Sequence, residues 1–455
     1  MKRDTGYRSD FLYLPRQKIG GFMEGALKRS LTFHEENRPP VVAWKVVGDH
    51  LRIPRERLVP YDLLHLPFEV VDISPRSYPK VPVSLTFSLR DRIQEDSRRA
   101  LEQSNGVLSL SCGKGKTVVA LHAWASASVP ALVVVPTKDL AWQWKTRIAE
   151  HTSVKEDEVG MLSGKPDGWN WKKPICVATV HAIARAAGEI PEDIRRHWGV
   201  VIFDEVHRLG APYFNRAASV GYGMRWGLSA TPMRSDGLDV LYQSHIGGVL
   251  YKNLTQENIP QVYFVQTGVS ASEIPPGALT DRTGELNIPK LYTWLAEHEG
   301  RNRLIRRLVK KVEKKGRINL VLTERVNQVK MLHQSFPGSG VIHGKVKGEE
   351  REKALKGSQT VFAITSLARD GLDRADLNTV TITTPFTDRG RFEQIMGRAQ
   401  RSKDPKVIIF EDDIDVCHKM CWRLRAHLRD LRYPYKDMRR EQIGEGEEDD
   451  GDGAT

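Results

Sequence analysis

The sequence predicts an α/β protein, with two tandem units built on parallel sheets and a small N-terminal β-containing domain. Three observations lead there. From about residue 86 onward, short β-branched apolar runs alternate with helix-length segments. The runs fall into two similar series. The first 85 residues instead carry a two-stranded alternating pattern closed by a tight turn. Runs of that kind between helices indicate strands buried on both faces in a parallel sheet.

A chain of 455 residues is too long for one core and suggests several domains. With 40% hydrophobic and 28% charged residues its composition is that of a soluble protein. It has no apolar run near the roughly 20 residues of a membrane helix. Its start lacks an apolar stretch of the secretory kind. Four cysteines fit a reducing compartment better than a disulfide scaffold. Net charge is +12, and leaving out the last fifteen residues, with seven acids and no Lys or Arg, raises it to +19. A basic body of this size favours a polyanionic partner, although a generically basic soluble protein gives the same number.

Within residues 1–85, Val41–Val47, the pair Gly48-Asp49 and His50–Pro54 read as a hairpin with a two-residue turn. Arg52, Arg55 and Arg57 lie close in sequence to Trp44 and Tyr61. Such interleaving suits DNA contact through phosphate pairing and stacking. The alternative is a domain that merely packs on its neighbour.

Residues 86–255 form the first α/β unit. A helix opens near Ser88 and reaches Leu101, and strands are expected at Val107–Leu110, Ala131–Val135, Ile175–Ala178, Val200–Phe203 and Trp226–Ser229. Residues 256–290, with the Pro- and Gly-containing stretch Ala271–Gly277, read as a linker. The second unit, 291–440, has strands at Asn319–Leu322, Val341–His343, Val361–Ile364, Val380–Thr383 and Val407–Phe410, then a basic helix over Arg423–Arg440. Residues 441–455 read as a disordered acidic tail.

The chemistry starts at Cys112-Gly113-Lys114-Gly115-Lys116-Thr117, between a strand and a helix start. Glycines let backbone N–H groups face phosphate oxygens, and the helix N-terminus favours negative charge. Lys116 is placed for the β- and γ-phosphates and Thr117 for Mg²⁺. The turn is shorter than G-x-x-x-x-G-K-[ST], whose first glycine position holds Leu110. Further on, Asp204-Glu205-Val206-His207 closes a buried strand, at the sheet edge where ligands bind. Asp204 suits the metal and Glu205 the activation of water. Gln394, Arg398 and Arg401, at i, i+4 and i+7, share one helix face, from which two guanidiniums can meet a γ-phosphate. An exposed basic helix is the plainer reading of the same spacing. Cys417-His418-Lys419-Met420-Cys421 falls short of the four ligands zinc wants.

Together these stretches resemble motifs of superfamily-2 helicases. Gly113–Thr117, Asp204–His207 and Ser229-Ala230-Thr231 are similar to motifs I, II and III; Ala363–Asp373 resembles motif V and Gln394–Arg401 motif VI. Pro136–Trp144 and Gly227–Gly237 are similar to the XPB-type repair helicases and the UvsW-type phage recombination helicases. The resemblance implies two RecA-like domains and an ATP hydrolase using Mg²⁺. It implies ATP contacts from Arg90, Gln94, Cys112, Gly113, Lys114, Gly115, Lys116, Thr117, Gly371 and Asp373, with Arg90…Gln94 one residue longer than the family's adenine-reading element. His207, Ser229 and Thr231 are the implied coupling residues. Thr137, Gln143, Trp144, Thr179, His181 and Thr365 are the implied DNA contacts; for Trp144 a core position is the competing reading.

The expected activity is ATP-dependent unwinding of, or translocation on, single-stranded or branched DNA in recombination, replication or repair. The expected place is the cytoplasm of a bacterial or phage-infected cell, with no membrane partner. An RNA helicase, and an ATPase that remodels without unwinding, remain alternatives; the Asp-Glu-Val-His box favours DNA.

Overall fold

The computed structural model describes residues 2–34, 39–58, 60–111, 113–230, 237–255, 258–280, 286–344, 346, 348–368, 374, 376–400 and 402–443. The chain divides into two compact units, Met1–Thr255 and Gln256–Thr455.

The N-terminal part of the first unit holds β1 (Gly6–Arg8), β2 (Phe11–Pro15), α1 (Arg16–Ser30), β3 (Thr32–Phe33), β4 (Val41–Val42), β5 (Lys45–Val47), β6 (His50–Pro54), α2 (Pro60–Leu64) and β7 (Val70–Asp72). The expected hairpin is present as β5 and β6, antiparallel across Gly48-Asp49, with Val47 opposite His50. Val41 and Val42 instead pair with β3. One mixed sheet runs β5-β6-β2-β1-β7, with β1 and β7 parallel. Leu12, Leu14, Leu51 and Ile53 alternate along β2 and β6 toward a small core closed by Ile19 and Leu27 of α1.

The α/β part follows as α3 (Arg92–Gln103), β8 (Gly106–Leu110), α4 (Lys116–Ala127), β9 (Ala131–Val135), α5 (Lys138–His151), β10 (Val159–Leu162), β11 (Ile175–Thr179), α6 (Val180–Ala186), α7 (Glu192–His197), β12 (Val200–Asp204), β13 (Met224–Ser229), α8 (Asp239–Ile246) and β14 (Val249–Asn253). Its seven strands run β10-β11-β9-β12-β13-β8-β14, all parallel. Every residue of β8 and β9 is buried, as two-sided coverage by helices requires. β10 and β14, at the two edges, are the strands that the apolar runs do not announce: each carries residues exposed on one side.

The second unit contains β15 (Gln261–Ser270), α9 (Ile288–Glu297), α10 (Glu299–Lys314), β16 (Asn319–Thr323), α11 (Val326–Gln334), β17 (Gly340–Ile342), α12 (Gly348–Lys356), β18 (Thr360–Ile364), α13 (Thr365–Ala368), β19 (Thr379–Ile382), α14 (Arg389–Ala399), β20 (Lys406–Asp413), α15 (Asp415–Asp430) and β21 (Tyr435–Met438). Its parallel sheet runs β17-β18-β16-β19-β20-β15-β21. Two boundaries move. The stretch 256–290 is not a linker throughout, because β15 is a long inner strand held between β20 and β21. The basic helix ends at Asp430, and Tyr435–Met438 returns as the edge strand β21. Residues 444–455 of the acidic tail lie outside the described residues. Cys417 and Cys421 are buried among apolar side chains, and burial pushes the Cys417 thiol up to about 12. A buried ion pair ties the layers of this unit together: Arg301 Nε bonds Asp412 Oδ1 at 2.7 Å with both side chains fully enclosed.

Candidate active site and nucleic-acid surface

Strand order decides what meets at the C-terminal edge of the first sheet. β12, β13 and β8 are consecutive neighbours, so the ends of three strands bring together Asp204, Ser229 and the turn after Leu110. The turn is shaped by Gly113 and Gly115, whose φ angles of +82° and +81° lie where a side chain is strained. Gly115 is constrained twice, since a Cβ there would stand 2.5 Å from Gln94 Nε2. α4 begins at Lys116 immediately after this left-handed residue, which leaves the backbone N–H groups of its first turn without intrahelical acceptors. Lys116 Nζ donates to the Leu110 carbonyl at 3.1 Å, folding the ammonium back over the turn, and Thr117 stands in the first turn beside it. Lys114 is buried. Cys112 lies outside the described residues.

Gln94 belongs to this site despite its altered spacing. Its Nε2 donates to the Lys114 carbonyl at 3.1 Å, and its Oε1 accepts the Arg90 backbone N–H at 2.8 Å. Asp91 caps α3 through the Gln94 N–H and also holds Arg90. Burial alone would raise the Asp91 pKa, but those two bonds outweigh it and the carboxyl sits below its usual range. The extra residue is thus absorbed in a helix cap.

Asp204 accepts two hydrogen bonds, from the Trp144 indole Nε1 at 2.8 Å and from the Glu205 backbone N–H at 2.9 Å. Burial and the adjacent Glu205 carboxylate push its pKa up to about 6, against the pull of Trp144 and Lys116. Glu205 itself takes the left-handed conformation, φ +49°, at the end of β12. A non-glycine residue held there at a strand end is a strain of the kind found at functional sites. His207 Nδ1 lies 3.1 Å from Ser229 Oγ and 3.4 Å from Glu205 Oε2. One imidazole therefore faces both the acidic pair and the end of the neighbouring strand. Thr231 lies outside the described residues.

The expected DNA contacts separate into two groups. Thr137 and Thr179 cap α5 and α6 through the Leu140 and Ala182 N–H groups, and both are half-buried at the same sheet edge. Gln143 is half-buried on α5, and His181 is exposed with its ring 4.5 Å from Phe214, edge-on. Trp144 and Thr365 are the corrections. Trp144 is 1% exposed and offers no face for stacking; it lies on the buried stripe Ala141–Trp144–Ile148 and orients Asp204. The exposed indole of α5 is Trp142, which the motif match passes over although the helical spacing 141, 144, 148 already turns it outward. Thr365 is buried, and its hydroxyl donates to the Thr323 carbonyl at 2.9 Å.

In the N-terminal part the arginines are engaged within the fold. Arg55 is buried, and its guanidinium bonds the carbonyls of Tyr222 and Gly223 in the α/β part. Burial, then Arg8, lowers its pKa. Arg52 lies 4.2 Å over the Phe11 ring, and Arg57 donates to Ser30 Oγ at 3.1 Å. The module is clamped on further by Arg195 to Asp10 at 2.9 Å and by Arg225 to the Asp10 carbonyl at 2.7 Å. The packing alternative therefore describes Arg55.

In the second unit, Gln394 and Arg398 stand on α14, Gln394 buried and Arg398 half-buried. The Gln394 Oε1 is buried with no hydrogen-bond partner among the described residues. α14 ends at Ala399. Arg401, Gly371 and Asp373 lie outside the described residues.

Two family models match in succession: the res subunit of type III restriction enzymes over residues 85–234 and the helicase conserved C-terminal domain over 300–403. A putative ATP-dependent RNA helicase of Acanthamoeba polyphaga mimivirus is 28% identical, over 81% of this chain and 72% of its own. A DNA 3'-5' helicase XPB of Mycobacterium tuberculosis is 28% identical over 71% of this chain, which spans only 60% of that relative. A DNA 3'-5' translocase XPB2 of Sulfurisphaera tokodaii is 26% identical over 71% of this chain and 81% of its own. Among solved structures, Saccharomyces cerevisiae Dbp5 bound to RNA and ADP BeF3 shares the fold, with a TM-score of 0.55 at 14% identity over 77% of this chain and 90% of that one. The two models match β8–β13 of the first sheet and β16–β19 of the second, and the motifs follow in order: the matches are those of a superfamily-2 ATP-dependent helicase or translocase.

Proposed function

We propose that the chain is a DNA-stimulated ATPase that moves along or unwinds DNA, acting on branched or single-stranded DNA in recombination, replication or repair. The observation that carries this reading is the row of strand ends on β12, β13 and β8, where His207 stands against both Glu205 and Ser229. A hydrolytic pair alone needs no such bridge. A residue that contacts the water-activating carboxylate and the neighbouring strand suits an enzyme whose hydrolysis must be felt elsewhere. The printed names of several relatives favour DNA as the track, and so does the basic body of the chain.

In this reading ATP binds with its phosphates on the turn 113–115 and the start of α4, and Lys116 leaves the Leu110 carbonyl for the γ-phosphate. Glu205 orients and deprotonates the attacking water. Thr117 and Asp204 would hold Mg²⁺. Their oxygens are the hard donors this ion takes, and two adjacent carboxylates, one with a raised pKa, make a place where a cation is favoured. The ion would supply charge neutralisation at the phosphates. Gln94 steadies the turn and stands where an adenine-reading group is expected. Gln394, Arg398 and Arg401 are assigned to the transition state by the motif resemblance, and the buried Gln394 acceptor is available for a group outside the described residues. Thr137, Thr179 and His181 at helix starts along one edge, with Gln143 in the second turn of α5, are suited to phosphates and carry no base information.

The mimivirus relative's printed name supports a second reading, an RNA helicase. ATP hydrolysis measured with single-stranded DNA, forked DNA and RNA, beside strand separation on the same substrates, decides between them. Stimulation by DNA alone upholds the proposal, and stimulation by RNA alone replaces it. Hydrolysis and movement without strand separation makes the chain a translocase.

A further inference from the structure

With Arg52 and Arg55 engaged within the fold, the exposed groups of α1 are left without a role. Ile19 and Leu27 fasten this helix to the small core. Between them Gly20, at φ +68° and ψ 162°, breaks the helical path. Beyond the break, Phe22 is 89% and Met23 37% exposed, and among the described residues nothing but the adjoining chain lies within 4 Å of where a Cβ on Gly20 or Gly21 would stand. A phenyl ring this exposed on a glycine-flanked bend is not explained by packing.

The charge around it is positive and organised. Glu24, nearly buried, accepts from Arg16 at 3.0 Å and from Lys28 at 2.6 Å, so one carboxylate fixes two cations. Burial would raise its pKa, but these two bonds lower it, so the carboxylate that fixes them stays ionised at neutral pH. Lys28 also lies 4.7 Å over the Trp44 ring. Lys18 and Arg29 are exposed on the same helix, and Arg57 reaches its last residue, Ser30. An apolar tip framed by cations matches one partner chemistry: stacked bases edged by phosphates. Apolar wedges of Phe and Met inserted at base steps are a recurring device of DNA-bending proteins, and base-on-ring stacking is indifferent to sequence.

We propose that the Phe22–Met23 tip is a wedge that stacks on the open base pair at a duplex end or branch point, with Lys18, Arg29 and Arg57 on the flanking phosphates. The inference rests on the DNA reading above and adds to it where duplex meets single strand. It also moves the recognition role of this module away from Arg52 and Arg55, keeping Arg57.

The test compares the full-length wild-type chain with Phe22→Ala, Phe22→Leu and Phe22→Trp on a fork carrying 2-aminopurine at the junction and on closed circular duplex, which has no open base pair. Because the ring is exposed, the variants should keep the wild-type thermal midpoint. Phe22→Ala and Phe22→Leu should each lose about 5- to 150-fold in fork affinity, the range of a lost stacking contact, while binding to the circle is unchanged. Phe22→Trp should retain fork affinity and the 2-aminopurine response. Lys18→Ala with Arg29→Ala should make the salt dependence shallower by about 0.9 per phosphate contact removed. Equal fork affinity and fluorescence for all four proteins overturns the wedge alone. Loss of self-association in Phe22→Ala with unchanged DNA binding also overturns it, in favour of a contact between copies. A wild-type chain that neither binds forks nor is stimulated by them overturns the DNA reading itself.

Discussion

Replacing Trp144 by Phe removes one hydrogen bond from the acidic pair while keeping an apolar ring in the core. The indole N–H lies 2.8 Å from Asp204 Oδ2, and the ring is 1% exposed, so water is a poor substitute donor. A hydrogen bond to a charged acceptor is worth about 1.5–3 kcal/mol, and about 1.36 kcal/mol corresponds to one pH unit, so the Asp204 pKa should climb by about one to two. It already stands at about 6, because of burial and Glu205. At pH 7 a smaller share of Asp204 would then be ionised than in the wild-type chain. The assay is kcat/KM for ATP against pH at fixed Mg²⁺. The acid limb of W144F should move up by one to two, with activity recovering toward pH 9. The same shift has a stability sign. A carboxyl whose pKa is raised in the fold favours folding when protonated, and that contribution is lost as pH rises from the ordinary carboxylate range through about 6. In W144F the loss continues to higher pH. An unmoved acid limb, or a uniform loss at every pH, would mean that the ring acts by packing alone and refutes the argument.

Other expectations follow from the same geometry. Glu205→Gln should keep ATP binding, measured by equilibrium titration, while turnover falls by about 10²–10⁴, as for loss of a general base. Arg55→Ala leaves the Tyr222 and Gly223 carbonyls without their buried donor and should cost about 2–4 kcal/mol in urea unfolding, with the salt slope of DNA binding unchanged. Asp412→Ala strands the buried Arg301 guanidinium and should cost about 3–5 kcal/mol by the same measurement. Arg398→Ala, if the motif assignment is right, lowers kcat for ATP more than it raises KM.

The sequence is most transparent where strands are buried on both faces. β8, β9, β11, β12 and β13 each appear as a largely apolar run, because coverage by helices on both sides leaves few positions for a polar residue, and the exceptions inside them, Ser109 and Arg225, are themselves buried. The edges are opaque for the complementary reason. β14 and β21 mix exposed and covered positions, so their composition is that of loops, and β21 is hidden inside a basic stretch that looks helical. β15 lies in the stretch that reads as a linker, although Val262, Phe264 and Val265 are wholly buried. Its alternation with Gln261, Tyr263 and Gln266 lacks the apolar continuity of the other inner strands. The chemistry was legible at the turn and at the acidic pair, because glycine at positive φ and carboxylates at a strand end leave marks in residue type. The roles of Trp144 and Arg55 were not, since burial depends on residues far away in sequence: Asp204 for one, Tyr222 and Gly223 for the other.

That contrast bears on what the N-terminal module is for. Residue type alone treats its arginines as equivalent. The fold divides them by partner: Arg55 and, across the joint, Arg195 and Arg225 meet backbone carbonyls and Asp10, while Arg57 and the cations of α1 stay at the surface. Guanidiniums enclosed at the joint make truncation a poor probe of recognition, because removing the module leaves Arg195 on α7 and Arg225 on β13, the strand that ends in Ser229, without their Asp10 partners. Loss of ATPase on deletion of residues 1–85 would therefore say little about DNA. Surface substitutions that leave the joint intact, at Phe22 and the cations around it, separate a recognition role from a structural one.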